Sequence, residues 1–152
     1  MTRIFLDACI VIDLFEAKPE QQKVLTDALL GKTPYGSELV RMEARLQAVR
    51  DGRDELLARY DGYFERCRLV PFSRPLFDLA SQLRIQHRIK TPDALHLAAA
   101  MMGACEQFWT NDDRLAKAAS DRIAVWDWAR IEQASSDSPN EPDRKNGDNH
   151  GV

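Results

Sequence analysis

Apolar residues along this chain alternate between short continuous runs and helically spaced stripes, and each kind predicts an element. Ile4-Phe5-Leu6 is a short run of the buried-strand type. Residues 10–15 are apolar with Asp13 interrupting, as for a helix packed on a sheet. Val24, Leu25, Ala28 and Leu29 set helical spacing through residues 21–30. Lys32-Thr33-Pro34-Tyr35-Gly36 reads as a connector, where any strand is short. Ser37 is a favoured N-cap for a helix carrying Leu39, Val40, Met42, Glu43 and Leu46, which Arg50-Asp51-Gly52-Arg53 breaks. A second helix over residues 54–67 aligns Leu56, Leu57, Tyr60 and Phe64. Leu69-Val70 before Pro71 is a strand candidate, and Leu76, Leu79, Ala80 and Leu83 mark the next helix. Thr91 as N-cap and Pro92 at the first helical position open a helix over residues 93–102, apolar around much of its circumference, with Gly103 as its stop. Residues 106–109 predict a strand, 114–119 a short helix and 123–126 a last strand.

Strands that alternate with helices make a parallel sheet covered on both faces, so the predicted class is α/β. At 152 residues one domain is expected, over 1–133. From 134 to 152 Ser, Pro, Asn, Asp and Gly dominate, and that segment is read as a disordered polar tail. No apolar run is long enough to span a bilayer, and the first apolar stretch is too short for a signal peptide, so a cytoplasmic protein is expected. Cys9, Cys67 and Cys105 are odd in number, widely spaced and lack a C-x-x-C, which fits reduced, buried thiols rather than bridges or zinc ligands. The net charge of −3 counts against a broad nucleic-acid footprint. Part of the acid lies in the tail, and neutralising four acids of the body by metal turns the remainder net positive.

Those four acids, Asp7, Glu43, Asp93 and Asp112, carry the candidate chemistry. Asp7 and Asp112 follow strand candidates, where open parallel sheets form their sites. Each acid also has an ordinary explanation. Asp7 suits a helix N-cap, Asp112 a surface turn, and Asp93 the first turn of a helix behind Thr91-Pro92. Glu43 suits a solvated helix face with Arg41 and Arg45. What favours chemistry is their joint occurrence in an α/β pattern. Carboxylates gathered at one sheet edge repel unless a hard cation lies among them, and oxygen-only sites suit Mg²⁺ or Mn²⁺. Metal-assisted phosphoryl chemistry is the reaction class this indicates.

The chain resembles PIN-domain ribonucleases, and among them the VapC-like toxins of bacterial toxin–antitoxin pairs. The resemblance rests on Phe5-Leu6-Asp7-Ala8-Cys9-Ile10-Val11-Ile12-Asp13, Ser37-Glu38-Leu39-Val40-Arg41-Met42-Glu43, Lys90-Thr91-Pro92-Asp93-Ala94-Leu95-His96-Leu97-Ala98-Ala99-Ala100 and Phe108-Trp109-Thr110-Asn111-Asp112-Asp113-Arg114-Leu115. It covers nearly everything before the tail; the third stretch is the most specific and the second the loosest. It implies a three-layer α/β/α sandwich on a parallel sheet of about five strands. It implies Mg²⁺- or Mn²⁺-dependent cleavage of RNA, with the acidic quartet at Asp7, Glu43, Asp93 and Asp112. Asp7 and Asp93 are then the main metal ligands, and Glu43 and Asp112 act through water or at a second ion. Thr110 and Ser37 match polar positions beside the quartet. A homodimer and a cognate VapB-type antitoxin are the implied partners. Cys9 departs from the family, which often has Asn, Ser or Thr there, and a thiol is a poor partner for a hard cation.

His87, His96 and His150 do not make a zinc site; His96 shares a helical face with Asp93, where it could orient a carboxylate, with a packed or hydrogen-bonded structural His as the ordinary reading. There is no G-x-S-x-G turn and no glycine-rich phosphate loop. Trp109, Trp126 and Trp128 are expected to pack rather than stack on bases. Arg41, Arg45, Arg88, Lys90 and Arg114 lie near the acids in sequence and are candidates for holding RNA phosphates, each with solvation as its ordinary role. Two rival functions remain: a PIN-like scaffold without catalysis, and a receiver-type signalling domain, which also clusters acids around Mg²⁺.

Overall fold

The computed structural model describes residues 1–136. Five parallel strands form one sheet in the order β3-β2-β1-β4-β5, namely β1 (Thr2–Leu6), β2 (Lys32–Gly36), β3 (Arg68–Leu69), β4 (Gln107–Trp109) and β5 (Ala124–Trp126). Between and after them run α1 (Ala8–Glu16), α2 (Pro19–Leu29), α3 (Glu38–Arg50), α4 (Asp54–Arg66), α5 (Arg74–His87), α6 (Thr91–Met102), α7 (Asp113–Ala119) and α8 (Trp128–Ser136). The order differs from the 2-1-3-4-5 arrangement of receiver-type domains, which removes that rival.

Connectivity dictates the layers. From β1 the chain steps outward to β2 and then β3, and right-handed crossovers put α1 to α4 on one face. The return from β3 across the sheet to β4, and then to β5, puts α5, α6 and α7 on the other face. The packing agrees: α1 lies on α2 and α3, α3 on α4, and α5 on α6, while α8 returns to α2. The expected three-layer α/β/α architecture follows. The middle strand β1 is buried from Ile4 to Leu6, with Phe5 beside Tyr35 on one side and Phe108 on the other. Trp109 is fully buried and stacks on Trp126, so both pack as expected. In α6 every residue from Ala94 to Ala100 is buried.

Several boundaries differ from the sequence reading. Residues 32–36 are a full five-residue strand between β1 and β3, not a connector. Pro34 is tolerated because β3 pairs only at Tyr35 and Gly36, leaving Pro34 a side where a missing N–H breaks no ladder bond. Helix α6 begins at Thr91 itself; Lys90 is its N-cap residue without a side-chain cap, and the Thr91 hydroxyl accepts from Arg84 Nη1 at 3.0 Å instead. Helix α8 extends to Ser136, three residues into the expected tail, because Ile131 is buried there and Asp127 Oδ1 accepts from the Arg130 N–H at 2.9 Å. The rest of the tail, 137–152, lies outside the described residues. Among the described residues no helix is long and apolar enough to cross a membrane.

Candidate functional site

The chain leaves β1 toward β2 on one side, and after β3 it crosses back to place β4 on the other side of β1. That reversal opens a crevice beyond the carboxyl ends of β1 and β4, where open α/β sheets place ligands. Asp7 is the first residue beyond β1, and its N–H donates to the Trp109 carbonyl at 3.0 Å, so the two strand ends are tied. Asp7 is the N-cap of α1: Oδ1 accepts from the Ala8 N–H at 2.8 Å. Its Oδ2 accepts from the Thr110 hydroxyl, also at 2.8 Å. The buried Thr110 Oγ1 accepts in turn from the Asp112 N–H at 3.0 Å, so one side chain beyond β4 fixes two of the four acids. Asp112 caps α7, with Oδ1 accepting from the Leu115 N–H at 3.0 Å. The buried Ser37 caps α3 by accepting from the Val40 N–H at 3.2 Å, which aims that helix at the same edge.

Two helices bring the remaining groups. Glu43 projects from the second turn of α3, and both its oxygens lie 3.1 Å from His96 Nε2 of α6. His96 Nε2 is also 4.0 Å from Asp7 Oδ1. Asp7, Glu43 and His96 each offer one ligand-type atom, all within 4.8 Å of one another. Asp93 and Asp112 stand outside that tight group and line the adjoining cleft. Asp93 nevertheless shares the field of the whole set. Its carboxyl is held above the usual range, first by partial burial and then by repulsion from Asp112, with Asp7 and Glu43 adding and His96 opposing. All four acids that the sequence singles out therefore converge on one edge of the sheet.

Sequence reasoning read His96 as a packed or hydrogen-bonded structural residue, with orientation of a carboxylate as the other option, and the structure sets it against Glu43. It is buried, as that reading holds, and its three-residue offset from Asp93 was the signal that it faces the acids. Burial alone pushes its imidazole down, but the bond to Glu43 and the charges of Glu43, Asp7 and Asp93 hold it above its ordinary value. Nε2 is the ring nitrogen that faces Glu43, and a proton there donates to that carboxylate, while buried Nδ1 has no partner. While Nε2 donates to Glu43 it offers no lone pair to a cation, and His96 is placed to orient that carboxylate. The donors that remain are carboxylate oxygens, each with lone pairs beyond those used in capping. That set fits a hard divalent ion such as Mg²⁺ or Mn²⁺. Cys9 lies beside it as a neutral thiol. Its thiol is pushed up to about 12 by burial and by the Asp7 charge, and Sγ donates weakly to Asp7 Oδ2 at 3.6 Å.

The cleft beside the acids measures about 1160 Å³. Arg88, Lys90 and Arg114 line it, whereas Arg41 and Arg45 lie elsewhere, both bound to Asp61 at 2.9 Å.

Comparison with known proteins adds a family and a set of folds. A family model described as the PIN domain matches residues 4–121. A chain of a toxin–antitoxin complex from Klebsiella pneumoniae is 22% identical, with a TM-score of 0.64 over 81% of this chain and 95% of that one. A chain of VapBC2 from Rickettsia felis bound to a DNA fragment from their promoter is 16% identical, with a TM-score of 0.67 over 84% and 99%. A chain of FitAcB from Neisseria gonorrhoeae is 18% identical, with a TM-score of 0.58 over 83% and 98%. At these identities the likeness is one of fold. No curated protein matches the chain.

Proposed function

We propose, from the premise that this chain belongs to the PIN-domain family, that it is a metal-dependent endoribonuclease and the toxin of a toxin–antitoxin pair. The observation that carries the reading is the convergence of Asp7, Glu43, Asp93 and Asp112 at the carboxyl edge of β1 and β4, where partial burial and then the neighbouring acids hold the Asp93 carboxyl above its usual range. Asp7 and Asp93 would be the main holders of a Mg²⁺ or Mn²⁺ ion, with Glu43 and Asp112 acting through water or at a second position. Such an ion, when bound, lowers the pKa of a coordinated water and offsets charge on the phosphate.

The chain's own groups do the rest. The bonds from Ala8 and Thr110 hold Asp7 in place, and His96 holds Glu43. A carboxylate of the set takes the proton released as water adds to phosphorus. The P–O bond to the leaving sugar oxygen breaks, and that oxygen is protonated from solvent. The toxin–antitoxin complexes among the structural neighbours support a cognate antitoxin of VapB type as partner. A basic antitoxin side chain near the quartet would displace or neutralise the ion. A homodimer acting on cytoplasmic RNA completes the proposal.

Asp7→Asn tests it. Asn caps a helix as well as Asp does, so the fold is expected to persist while RNA cleavage falls by roughly a hundredfold or more. Full activity in a folded Asp7→Asn chain overturns the assignment. A wild-type chain that binds metal and antitoxin but cleaves no RNA indicates the scaffold instead.

A further inference from the structure

The cleft beside Asp93 and Asp112 carries a set of cations that neither the fold nor the acidic site explains. Arg88 and Lys90 come from the turn between α5 and α6, and Arg114 and Lys117 from α7. All four are exposed, and among the described residues none makes an ion pair or a side-chain hydrogen bond. Other basic groups nearby are engaged: Arg84 donates to the Ile89 carbonyl at 3.2 Å and to Thr91, and Arg122 to Gln86 at 2.8 Å.

The turn itself is built to present them. Buried Ile89 anchors it, Arg84 clamps it, and Arg88 and Lys90 flank the anchor. Arg88 closes α5 with φ of 53°, a left-handed conformation that glycine or asparagine adopts more cheaply. An arginine there is unfavourable for the backbone, and it places a long cationic side chain on the cleft.

We infer that Arg88, Lys90, Arg114 and Lys117 bind the phosphates of single-stranded RNA next to the bond being cut. The inference rests on the nuclease reading above. A polyanion nearing four carboxylates is repelled, and divalent ions offset this only at the reacting phosphate. Neighbouring phosphates need fixed cations, and the cleft supplies them from two elements. Its volume of about 1160 Å³ exceeds that of most small-ligand sites, so it suits a polymer segment. A strand without a partner leaves its bases free to be splayed in such a cleft, which a duplex does not.

The test uses the full chain with Mn²⁺ and a mixed-sequence, fluorophore–quencher single-stranded RNA, over a range of salt. The paired variants Arg88→Gln/Lys90→Gln and Arg114→Gln/Lys117→Gln are each expected to raise KM roughly tenfold, the loss falling on KM more than on kcat. Each also lowers the slope of log KM against log salt by about 1.4, because every phosphate left without its cation takes about 0.7 from the slope. The same pairs in the Asp7→Asn background should weaken RNA binding by a similar factor in fluorescence anisotropy. Wild-type KM and salt slope in both folded pairs, with cleavage intact, overturn this inference and leave the nuclease reading standing. A wild-type chain that neither binds nor cuts the RNA overturns both.

Discussion

Replacing Thr110 by Val removes one hydroxyl and alters the site at two points. The hydroxyl donates to Asp7 Oδ2 at 2.8 Å and accepts from the Asp112 N–H at 3.0 Å, and Thr110 is fully buried. Valine fills nearly the same volume, so no cavity term enters. A hydrogen bond to a charged group contributes about 1.5–3 kcal/mol net, and that bond is lost outright. The Asp112 N–H loses its acceptor as well, in a part-buried position where the valine methyl takes the hydroxyl's place, so the figure is a lower bound. For a chain of this size a loss of about 1.5–3 kcal/mol lowers Tm by roughly 3–12 °C. The second consequence is geometric. Asp7 keeps its cap bond to Ala8 but loses the restraint on its other oxygen, and losing such a supporting bond typically costs about 10–100-fold in metal affinity. Thermal melts in EDTA read the first effect, and calorimetric titration with Mn²⁺ the second. Thr110→Ser keeps the hydroxyl and is expected to keep the affinity. If Thr110→Val melts with the wild type and binds Mn²⁺ equally well, the hydroxyl does not organise the acids and the reasoning fails.

Two further outcomes follow from the same structure. Mn²⁺ at a hundred times its Kd should stabilise the fold by about 2.7 kcal/mol, raising Tm by roughly 5–11 °C, and Asp7→Asn should abolish most of that shift; equal melts with Mn²⁺ and with EDTA count against a cation among the acids. The thiols of Cys9, Cys67 and Cys105 are each pushed up to about 12, chiefly by burial. At pH 8 this leaves about a thousandfold less thiolate than an unperturbed thiol of pKa near 9 would show. Iodoacetamide should therefore leave the native chain unmodified over a time that labels the unfolded chain fully, and rapid labelling of Cys9 by mass spectrometry would contradict the neutral thiol placed beside Asp7.

Sequence patterning reveals an element when burial is its main cause. β1, β4 and α6 lie in the interior, so their apolar runs are nearly uninterrupted and their positions were legible. β2 was not, because Lys32, Thr33 and Pro34 are only half-buried and lack the alternation of a strand with one clean apolar face. Its place in the sheet comes from pairing with β1, a long-range cause that no local window contains. α8 shows a single buried residue, Ile131, and its best local signal was Asp127 three positions ahead of Arg130. The acids were legible as a set because strand ends and helix starts recur in fixed alternation. What stayed hidden was which charges find partners. Arg41 and Arg45 meet Asp61 across α3 and α4, while Arg88, Lys90 and Arg114 meet nothing among the described residues, and sequence proximity to the acids does not separate the two groups.

The structure also explains why each acid, taken singly, had an ordinary reading beside the chemical one. Capping and site chemistry are not alternatives at Asp7 and Asp112. Each sits between a strand and a helix, and each uses one carboxylate oxygen to accept from the helix that follows. An ionised carboxylate has about four lone-pair sites, so the cap leaves most of its acceptor capacity unspent. Capping holds the group rigidly at the sheet edge, and the following helix contributes the positive end of its dipole, which makes a crowd of negative charge less costly. The capping role therefore supplies the rigidity and part of the charge compensation that a metal site needs. It follows that Asn, not Ala, is the informative substitution at both positions. Alanine removes cap and charge together, whereas Asn preserves the cap, so the loss that remains belongs to the charge.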